Sequence, residues 1–152
     1  KIDNAEILIY GASGSVGSSA VQIAKFYNAK VSAIASKKNE SFLRELNIDE
    51  FIDYESDQFK KLEKKYDIIL DAVGKISKNK LKNNLKKDGK FLTVGGLDYA
   101  KENKQQLIFL KELFESGKLK ACIDKTYELN QIAEAHKYVE TERKKGNVVI
   151  EI

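Results

Sequence analysis

The stretch ILIYGASGSVGSSAVQIAKF, Ile7 to Phe26, joins an apolar run to a glycine-rich turn and then to a helical pattern. Ile7–Tyr10 has the composition of a strand that is buried on both faces of a parallel sheet. Three glycines follow within seven residues, Gly11, Gly14 and Gly17. The stretch therefore predicts a buried strand, a tight turn and a helix in direct succession.

This strand–turn–helix junction is suited to holding a phosphate group. The first N–H groups of a helix have no intrahelical partner and carry the positive end of its dipole. Gly11 permits the tight turn, Gly14 lets the backbone approach a pyrophosphate, and Gly17 lets the helix pack closely on the strand. The spacing is G-x-x-G-x-x-G rather than the usual G-x-G-x-x-G. A merely tight turn is the alternative. A P-loop is disfavoured because serines, not lysine, follow the last glycine.

Apolar runs and helical patterns alternate five times along the chain. This rhythm predicts βαβ units and an α/β fold, a Rossmann-type doubly wound parallel sheet of about five strands. The later strands are predicted at Val31–Ala35 and in the stretches EFIDY, YDIILDAVG and GKFLTVGG. The helices are predicted from Ser15, with Val16, Ala20, Ile23, Ala24 and Tyr27 on one face, and at Glu40–Leu46, Gln58–Lys64, Ser77 to about Leu85, and Glu102–Ser116.

The end of the chain follows a different pattern. It has the pattern of a strand, a helix and a strand, and these elements are not expected to extend the parallel sheet. Asn130 is a candidate helix cap, and the inward face of the helix is predicted to hold Ile132, Ala135, His136 and Val139. We therefore divide the chain into a dinucleotide-binding domain, 1–117, and a C-terminal tail, 118–152.

Composition limits the other classes of function. The chain is 42% hydrophobic and 33% charged, without an apolar run near the ~20 residues of a membrane span. Cys122 stands alone, so the chain holds no disulfide framework, and we expect a cytoplasmic location without membrane contact. Net charge is +4, but the lysines alternate with acidic residues and only Arg44 and Arg143 could provide arginine forks. Nucleic-acid binding is therefore the weaker interpretation.

The residues after the second strand bear on the choice of cofactor. An acidic residue there would bind the ribose 2′-hydroxyl of NAD. This chain has Ser36, Lys37 and Lys38 at that place. Serine and lysine would hold a 2′-phosphate, so we predict NADP(H). The alternative is that both lysines are ordinary surface residues.

Several stretches together resemble one known family. ILIYGASGSVGSSAVQIAKFYNAKVSAIAS, NIDEFIDY, YDIILDAVG and GKFLTVGG resemble the cofactor domain of medium-chain dehydrogenases/reductases. The similarity is closest to the zinc-independent quinone oxidoreductase and enoyl reductase branch. The stretches SGKLKACIDKTYELNQIAEAHKYVE and GNVVIEI resemble the ending of the same family.

The resemblance implies an NADPH-dependent reductase that transfers hydride to quinones or activated alkenes. It also implies a set of cofactor contacts. The lysine that the family uses at the 2′-phosphate falls near Asn39 in this chain, so Lys38 would replace it. The implied contacts are the amides of Gly14, Ser15, Val16 and Gly17 for the pyrophosphate, Ser36, Lys38 and Tyr54 for the 2′-phosphate, Val73 and Gly74 for the adenosine ribose, and Val94 and Gly95 for the nicotinamide.

The chain also departs from the family pattern. The family has a barrel-like substrate domain before the cofactor domain, whereas here Lys1 lies just ahead of the first strand. We therefore expect the substrate domain to be absent, little turnover by this chain alone, and possible homo-oligomers. The family's long segment after the fifth strand is shortened to LDYAKEN, and every expected cofactor contact lies before Gly96. A non-catalytic NADP(H)-binding or scaffold module is the alternative function.

No residue is predicted as a catalytic acid, a catalytic base or a metal ligand. His136 is the single histidine, and its apolar surroundings favour a packed structural role. One histidine and one cysteine cannot build a metal cluster. No tyrosine has a lysine four residues later, which argues against a short-chain dehydrogenase. Asp67 and Asp71 are interpreted as hydrogen-bonding groups at the ends of the fourth strand.

Overall fold

The computed structural model describes residues 2–96 and 103–152. A five-stranded parallel sheet has the order β3-β2-β1-β4-β5. Its strands are β1 (Glu6–Tyr10), β2 (Lys30–Ala35), β3 (Glu50–Asp53), β4 (Tyr66–Asp71) and β5 (Leu85–Thr93). The helices are α1 (Ser15–Phe26), α2 (Glu40–Glu45), α3 (Asp57–Lys60), α4 (Lys104–Glu115) and α5 (Ile132–Glu140). The predicted fold class is confirmed.

The sheet is covered by apolar side chains on both faces. Successive residues of a strand point to opposite faces, so β1 sends Ile7 and Ile9 into one core and Leu8 into the other. The first core includes Val21 of α1 and the second includes Phe59 of α3. Burial on two faces explains why the central strands are continuous apolar runs.

The buried face of α1 differs from the predicted one. Of the predicted face, Ala24 is buried and Ala20 packs against the core, whereas Val16 is 47% exposed. The other buried residues of the helix are Gly17, Ser18 and Val21. Glycine is the cause, because its missing side chain lets the helix lie directly on the turn. The face of α1 that was predicted to be buried is therefore offset by about one residue from the face that packs on the sheet.

Two of the predicted helices differ in the structure from what the sequence predicts. The helix predicted at Gln58–Lys64 ends at Lys60. The carbonyls of Leu62 and Lys64, which follow the helix, accept hydrogen bonds from the side-chain amide of Asn84. The helix predicted from Ser77 is a 3₁₀ helix over Lys78–Asn84. It buries Leu81 and Asn84, three residues apart, which matches the 3₁₀ period.

The boundaries of three strands and one helix also differ from prediction. β3 and β4 end at Asp53 and Asp71, before the expected ends of EFIDY and YDIILDAVG. β5 begins at Leu85, because its KKDG segment fits into the sheet as an irregularity opposite Tyr66 and Ile68. It ends at Thr93, so the last three residues of GKFLTVGG follow the strand. α4 lies within the predicted Glu102–Ser116, and Glu102 is outside the described residues.

The tail forms a small separate sheet. β6 (Ile123–Glu128) and β7 (Asn147–Glu151) pair in parallel, and α5 connects them. This confirms the predicted strand–helix–strand pattern apart from the five-stranded sheet.

The details of the tail helix were predicted wrongly. Within α5, whose residues are all described, only Ala135 is buried. His136 is exposed and not packed in a core. A 3₁₀ turn over Leu129–Gln131 precedes the helix, so Asn130 lies within this turn and is not the cap. Over the described residues, no helix is long and apolar enough to span a membrane.

Candidate functional site

A cleft of about 810 Å³ opens at the carboxyl ends of the sheet strands. Tyr10 ends β1 and Ala35 ends β2, and both line the cleft. Tyr54 lines it directly after β3, and Ala72 directly after β4. The strand order reverses at β1, between β2 and β4. Ligands of open α/β sheets bind at this kind of switch point.

The three glycines of the turn have separate roles. Gly11 has a φ of +75°, and a Cβ there would overlap the Val73 side chain. A Cβ on Gly17 would overlap the carbonyl oxygen of Gly11. Gly14 is different, because a Cβ at this position would meet only the Gly11 oxygen, at 3.6 Å. The fold therefore requires Gly11 and Gly17, whereas Gly14 leaves space on the cleft side of the turn.

The start of α1 is suited to an anion. Gly14 is the N-cap, no side chain caps the helix, and its first turn contains no acidic residue. The amides of Ser15, Val16 and Gly17 open the helix and have no intrahelical acceptor. The Gly14 amide already donates to the Gly11 carbonyl, 3.1 Å away. Among the predicted phosphate-binding amides, the three helical ones are thus the better placed.

The two neighbouring lysines after β2 have different surroundings. Lys37 pairs with Glu40 and lies above the Phe51 ring. Lys38 lines the cleft, as Ser36 does. Asn39, where the resemblance would place a lysine, is buried and donates through its side-chain amide to the Ser13 hydroxyl at 2.8 Å. Of the basic residues in this segment, Lys38 is therefore the one placed to meet a ligand.

Asp71 organises the loops at the ends of β4 and β5. Its buried carboxylate accepts hydrogen bonds from the amides of Val73, Gly74 and Ile76 and from the Thr93 hydroxyl. These bonds confirm Asp71 as a loop-organising group.

Asp67 has the same kind of role at the other end of β4. It accepts from the Glu6 amide at 2.8 Å and from the Lys86 ammonium at 2.7 Å. The Lys86 bond, supported by the Glu6 amide, holds the pKa of the Asp67 carboxyl below its usual value. Both aspartates are thus structural hydrogen-bonding groups, as predicted.

The tail supplies part of the cleft wall. Its lining residues are Val139, Thr141, Glu142, Arg143 and Lys144. Lys75 pairs with Glu142, so a side chain after β4 meets one from the tail. Residues beyond Gly96 therefore line the same cleft as most of the predicted cofactor contacts.

Family comparison identifies the chain. A protein-family profile described as zinc-binding dehydrogenase matches residues 15–140, which is most of the sequence. The chain belongs to this dehydrogenase family. This match and the relatives described next together confirm the resemblance to the cofactor-binding domain of medium-chain dehydrogenases/reductases, in the quinone oxidoreductase branch.

Relatives of known name extend this comparison. The chain is 33% identical over 155 residues to the chloroplastic NADPH-dependent alkenal/one oxidoreductase of Arabidopsis thaliana, covering 95% of the chain and 40% of that protein. It is 30% identical over 170 residues to a chloroplastic quinone-oxidoreductase of Triphysaria versicolor, covering 95% and 52%. The chain thus spans roughly two fifths to one half of the length of these relatives.

A solved structure has the same fold. The quinone oxidoreductase of Coxiella burnetii superposes with a TM-score of 0.79 at 23% identity, covering 99% of this chain and 53% of that one. This likeness supports the fold described above.

The fold brings most of the predicted cofactor residues together around the cleft, and Gly17, Gly74, Val94 and Gly95 are not among its lining residues. Gly17 is buried below it, and Gly74 packs against Gly95. Val94 follows β5 and donates its amide to the Asp71 carbonyl. The predicted residues that line the cleft are Gly11, Gly14, Ser15, Val16, Ser36, Lys38, Tyr54 and Val73.

Ser13, Asn39, Lys75 and the tail residues of the cleft were not predicted from the sequence. The glycine in KKGN, Gly146, was a usable signal, since it marks a tight backbone approach. Its φ is +60°, and a Cβ would overlap the Cys122 carbonyl. Despite the name of the family, no group of three or more His, Cys, Asp or Glu residues able to hold a metal occurs in the described part of the dehydrogenase chain.

Proposed function

We propose that this chain is the NADPH-binding domain of a zinc-independent oxidoreductase that reduces quinones or activated alkenes by hydride transfer. The observation that carries the proposal is Gly14, which the fold does not require and which borders the cleft at the uncapped start of α1. The relatives named for NADPH, alkenals and quinones support the choice of cofactor and substrate class.

Different residues around the cleft are proposed to bind different parts of the cofactor. The amides of Ser15, Val16 and Gly17 would bind the pyrophosphate, with Gly14 leaving room for it. Ser36, Lys38 and Tyr54 would hold the 2′-phosphate, and Val73 and Gly74 would border the adenosine ribose. Val94 and Gly95 would flank the nicotinamide ring.

When bound, the nicotinamide supplies the hydride. The residues of this chain hold the ring and its phosphates in place, and we assign none of them as an acid or base. The resemblance to the zinc-independent branch is the basis on which we propose a reaction without zinc. We further propose that the substrate is bound by groups other than the described residues of the cleft. This chain alone is then expected to reduce the substrate slowly or not at all.

We retain residues 1–117 as the cofactor domain and 118–152 as its tail, with the tail forming one wall of the site. Homo-oligomers and a cytoplasmic location remain predictions. Two of the relatives are chloroplastic by name.

The pyrophosphate assignment is tested with Gly14→Val. A branched side chain would enter the space on the cleft side of the turn, so NADPH affinity measured by titration calorimetry should fall more than about 100-fold, equivalent to about 2.7 kcal/mol. Circular dichroism must first show that the variant is folded. Unchanged affinity in the folded variant would refute the assignment.

The cofactor preference is tested with Lys38→Glu. NADPH should bind the unaltered chain more tightly than NADH, because Lys38 can pair with the 2′-phosphate. Reversing this charge should reduce the preference by about tenfold or more. Lys37→Glu is the matched control, since Lys37 pairs with Glu40 and does not line the cleft. A preference for NADH in the unaltered chain would contradict NADPH as the cofactor.

Turnover separates the oxidoreductase from a non-catalytic binding module. NADPH oxidation is followed by its near-ultraviolet absorbance with a quinone or an enone, using the longest form of the protein that can be expressed. Binding of NADPH without reduction of either substrate class would favour the binding module.

A further inference from the structure

The basic residues of this chain are unevenly distributed. Residues 75–90, KISKNKLKNNLKKDGK, contain seven lysines and one aspartate. The whole chain has 27 basic and 23 acidic residues, so the remainder of the sequence is slightly acidic and the positive excess lies in this lysine segment. Of its residues, only Lys75 lines the cleft. The proposed cofactor site therefore leaves the other lysines of the segment without a role.

The lysine segment lies along one margin of the five-stranded sheet. It contains the 3₁₀ helix Lys78–Asn84 and the first part of β5. Ile76 and Leu81 are buried in the second core and attach the segment to the sheet. All seven lysines are exposed. The apolar side chains thus anchor the backbone, and the charged side chains face solvent.

Most of these lysines have no acidic partner among the described residues. Lys75 and Lys86 are each paired with a carboxylate, and Lys80 lies above the Phe59 ring. Within the described part of the chain, the lysines of the segment that form neither an ion pair nor a ring contact are Lys78, Lys82, Lys87 and Lys90. Since like charges repel one another, an anion placed beside this group would be stabilising.

β5 is also the last strand of the sheet. Over the described residues it pairs with β4 alone. Alternate residues of a strand turn their backbone groups to opposite sides, and the Val94 amide is bonded to the Asp71 carbonyl on the β4 side. The backbone groups of Phe91 and Thr93 are therefore directed away from β4, where a further strand can pair with them. Leu92, between them, is 50% exposed.

Lysines on an edge strand commonly prevent two copies of a protein from pairing there. This role suits Lys87 and Lys90, which lie on β5. It does not account for Lys78 and Lys82, which precede the strand. Pairing of β5 with the same strand of a second copy would bring two lysine segments together, so a second copy is disfavoured as the partner of this edge.

The class of anion follows from the composition of the segment and from the strand edge. The lysine segment contains no arginine and no aromatic side chain, which are the groups that commonly hold nucleic-acid bases. A lipid surface would leave the outward backbone groups of β5 unpaired. An extended acidic polypeptide suits both features, because its backbone can pair with the strand edge and its carboxylates can pair with the lysines.

From this combination we propose that the outer edge of β5 and the lysine segment bind an extended acidic segment of a partner protein, which joins the sheet as a sixth strand. Its carboxylates would lie beside Lys87 and Lys90 and continue toward Lys82, and Leu92 would contact an apolar side chain of the partner. The proposal does not depend on the cofactor assignment.

The probe for the first test is a fluorescent peptide of alternating glutamate and valine residues, titrated into the 152-residue chain. It should bind at low salt and more weakly as salt is added. The variant Lys87→Glu/Lys90→Glu should bind it about tenfold more weakly. The matched control is Lys104→Glu/Lys137→Glu, which changes the net charge equally at exposed sites outside the segment and should leave the affinity nearly unchanged. Equal losses in the two variants would refute a localised site.

A second peptide tests the strand pairing itself. Methylation of every backbone nitrogen keeps the charges and removes the N–H groups, so the methylated peptide should lose most of the binding. The unmethylated peptide should also protect the Phe91 and Thr93 amides from hydrogen exchange. If both peptides bind equally and these two amides gain no protection, the partner does not join the sheet and the proposal is wrong.

The remaining outcomes concern other partners. Tighter binding of a short single-stranded RNA or of anionic lipid vesicles than of the peptide, lost in Lys87→Glu/Lys90→Glu, would assign the segment to that other class and overturn the proposal. Self-association that this variant abolishes would assign the edge to a second copy instead. NADPH affinity should be the same in the variant and the unaltered chain, so failure of peptide binding leaves the proposed function standing.

Discussion

The two sheets of this molecule are held in place by different forces. In the five-stranded sheet, β2 is buried along nearly its whole length, and Leu8 and Ile34 are completely buried. In the tail sheet, Ile123 is 55% exposed and no residue of β6 or β7, all of which are described, is buried. The first sheet has apolar layers on both faces, whereas the second meets the body largely through hydrogen bonds.

These hydrogen bonds connect the tail to α1 and its turn. The Gln22 side chain accepts from the Lys120 amide and donates to the Lys120 carbonyl. Gly146 bonds Ser13 and Ser15. A net hydrogen bond contributes about 1 kcal/mol, whereas a buried leucine contributes several times as much. We therefore expect that single substitutions can loosen the tail while the five-stranded sheet stays folded.

The largest expected effect is in the five-stranded sheet. Leu8→Ala removes a completely buried side chain from β1 and should lower the free energy of unfolding by about 3 kcal/mol. The matched change in the tail, Ile123→Ala, should cost less than about 0.5 kcal/mol because more than half of the side chain is already exposed. Urea unfolding measures both. Similar losses for the two variants would mean that the two sheets are not held differently.

The second effect separates the fold from the site within the glycine turn. Gly17→Ala should lower the free energy of unfolding by about 1–3 kcal/mol, because its Cβ would overlap the backbone of Gly11 and Ala12. Gly14→Ala should cost less than about 1 kcal/mol, since its Cβ would find only ordinary contact. Urea unfolding again provides the measurement. An equal cost would show that Gly14 is also required by the fold.

The smallest effect is a pH-dependent one in the tail. Asp124 accepts from the Tyr138 hydroxyl and the Lys145 amide. Burial alone would raise the pKa of this carboxyl, but the two hydrogen bonds outweigh it and the folded pKa is lowered. Its contribution to stability is therefore full above the unfolded pKa of about 3.9 and disappears as the pH falls through the folded pKa.

Asp124→Asn should consequently destabilise the protein at neutral pH and have little effect at a pH below the folded pKa. Solvent screening limits the loss at neutral pH to about 1 kcal/mol or less. Thermal unfolding under both conditions measures it, with the exposed Asp88→Asn as the control. A larger loss in acid than at neutral pH would contradict the assigned sign.

The sequence predicted the five-stranded sheet because burial on two faces leaves an unmistakable pattern. Runs such as ILIY and VSAIA have no polar interruption beyond one serine, and the first of them ends at a turn glycine. The glycine turn was equally informative, since Gly11 and Gly17 leave no room for a side chain and Gly14 borders the cleft. The cleft residues within the turn follow from these two features, whereas Tyr54 and Val73 were implied by the family resemblance.

The wrong predictions concern segments whose form depends on distant contacts. The segment after α3 is held by Asn84, far along the chain, whose side-chain amide donates to the carbonyls of Leu62 and Lys64. His136 has an apolar pattern around it, but α5 buries only Ala135. The place of Lys144 depends on a bridge between Gly14 and Gly146, and no local pattern records such a contact.

That bridge also sets an order of events. Its two glycines are separated by almost the entire chain. Forming the contact therefore has a high entropic cost of loop closure unless the sheet between them has already formed. The tail is therefore expected to dock last during folding and to detach first. In deuterated water, the Gly146 and Lys120 amides should exchange through local detachment, whereas amides of β1 and β2 should exchange only through global unfolding. One edge of the cleft is thus expected to open and close independently of the five-stranded sheet.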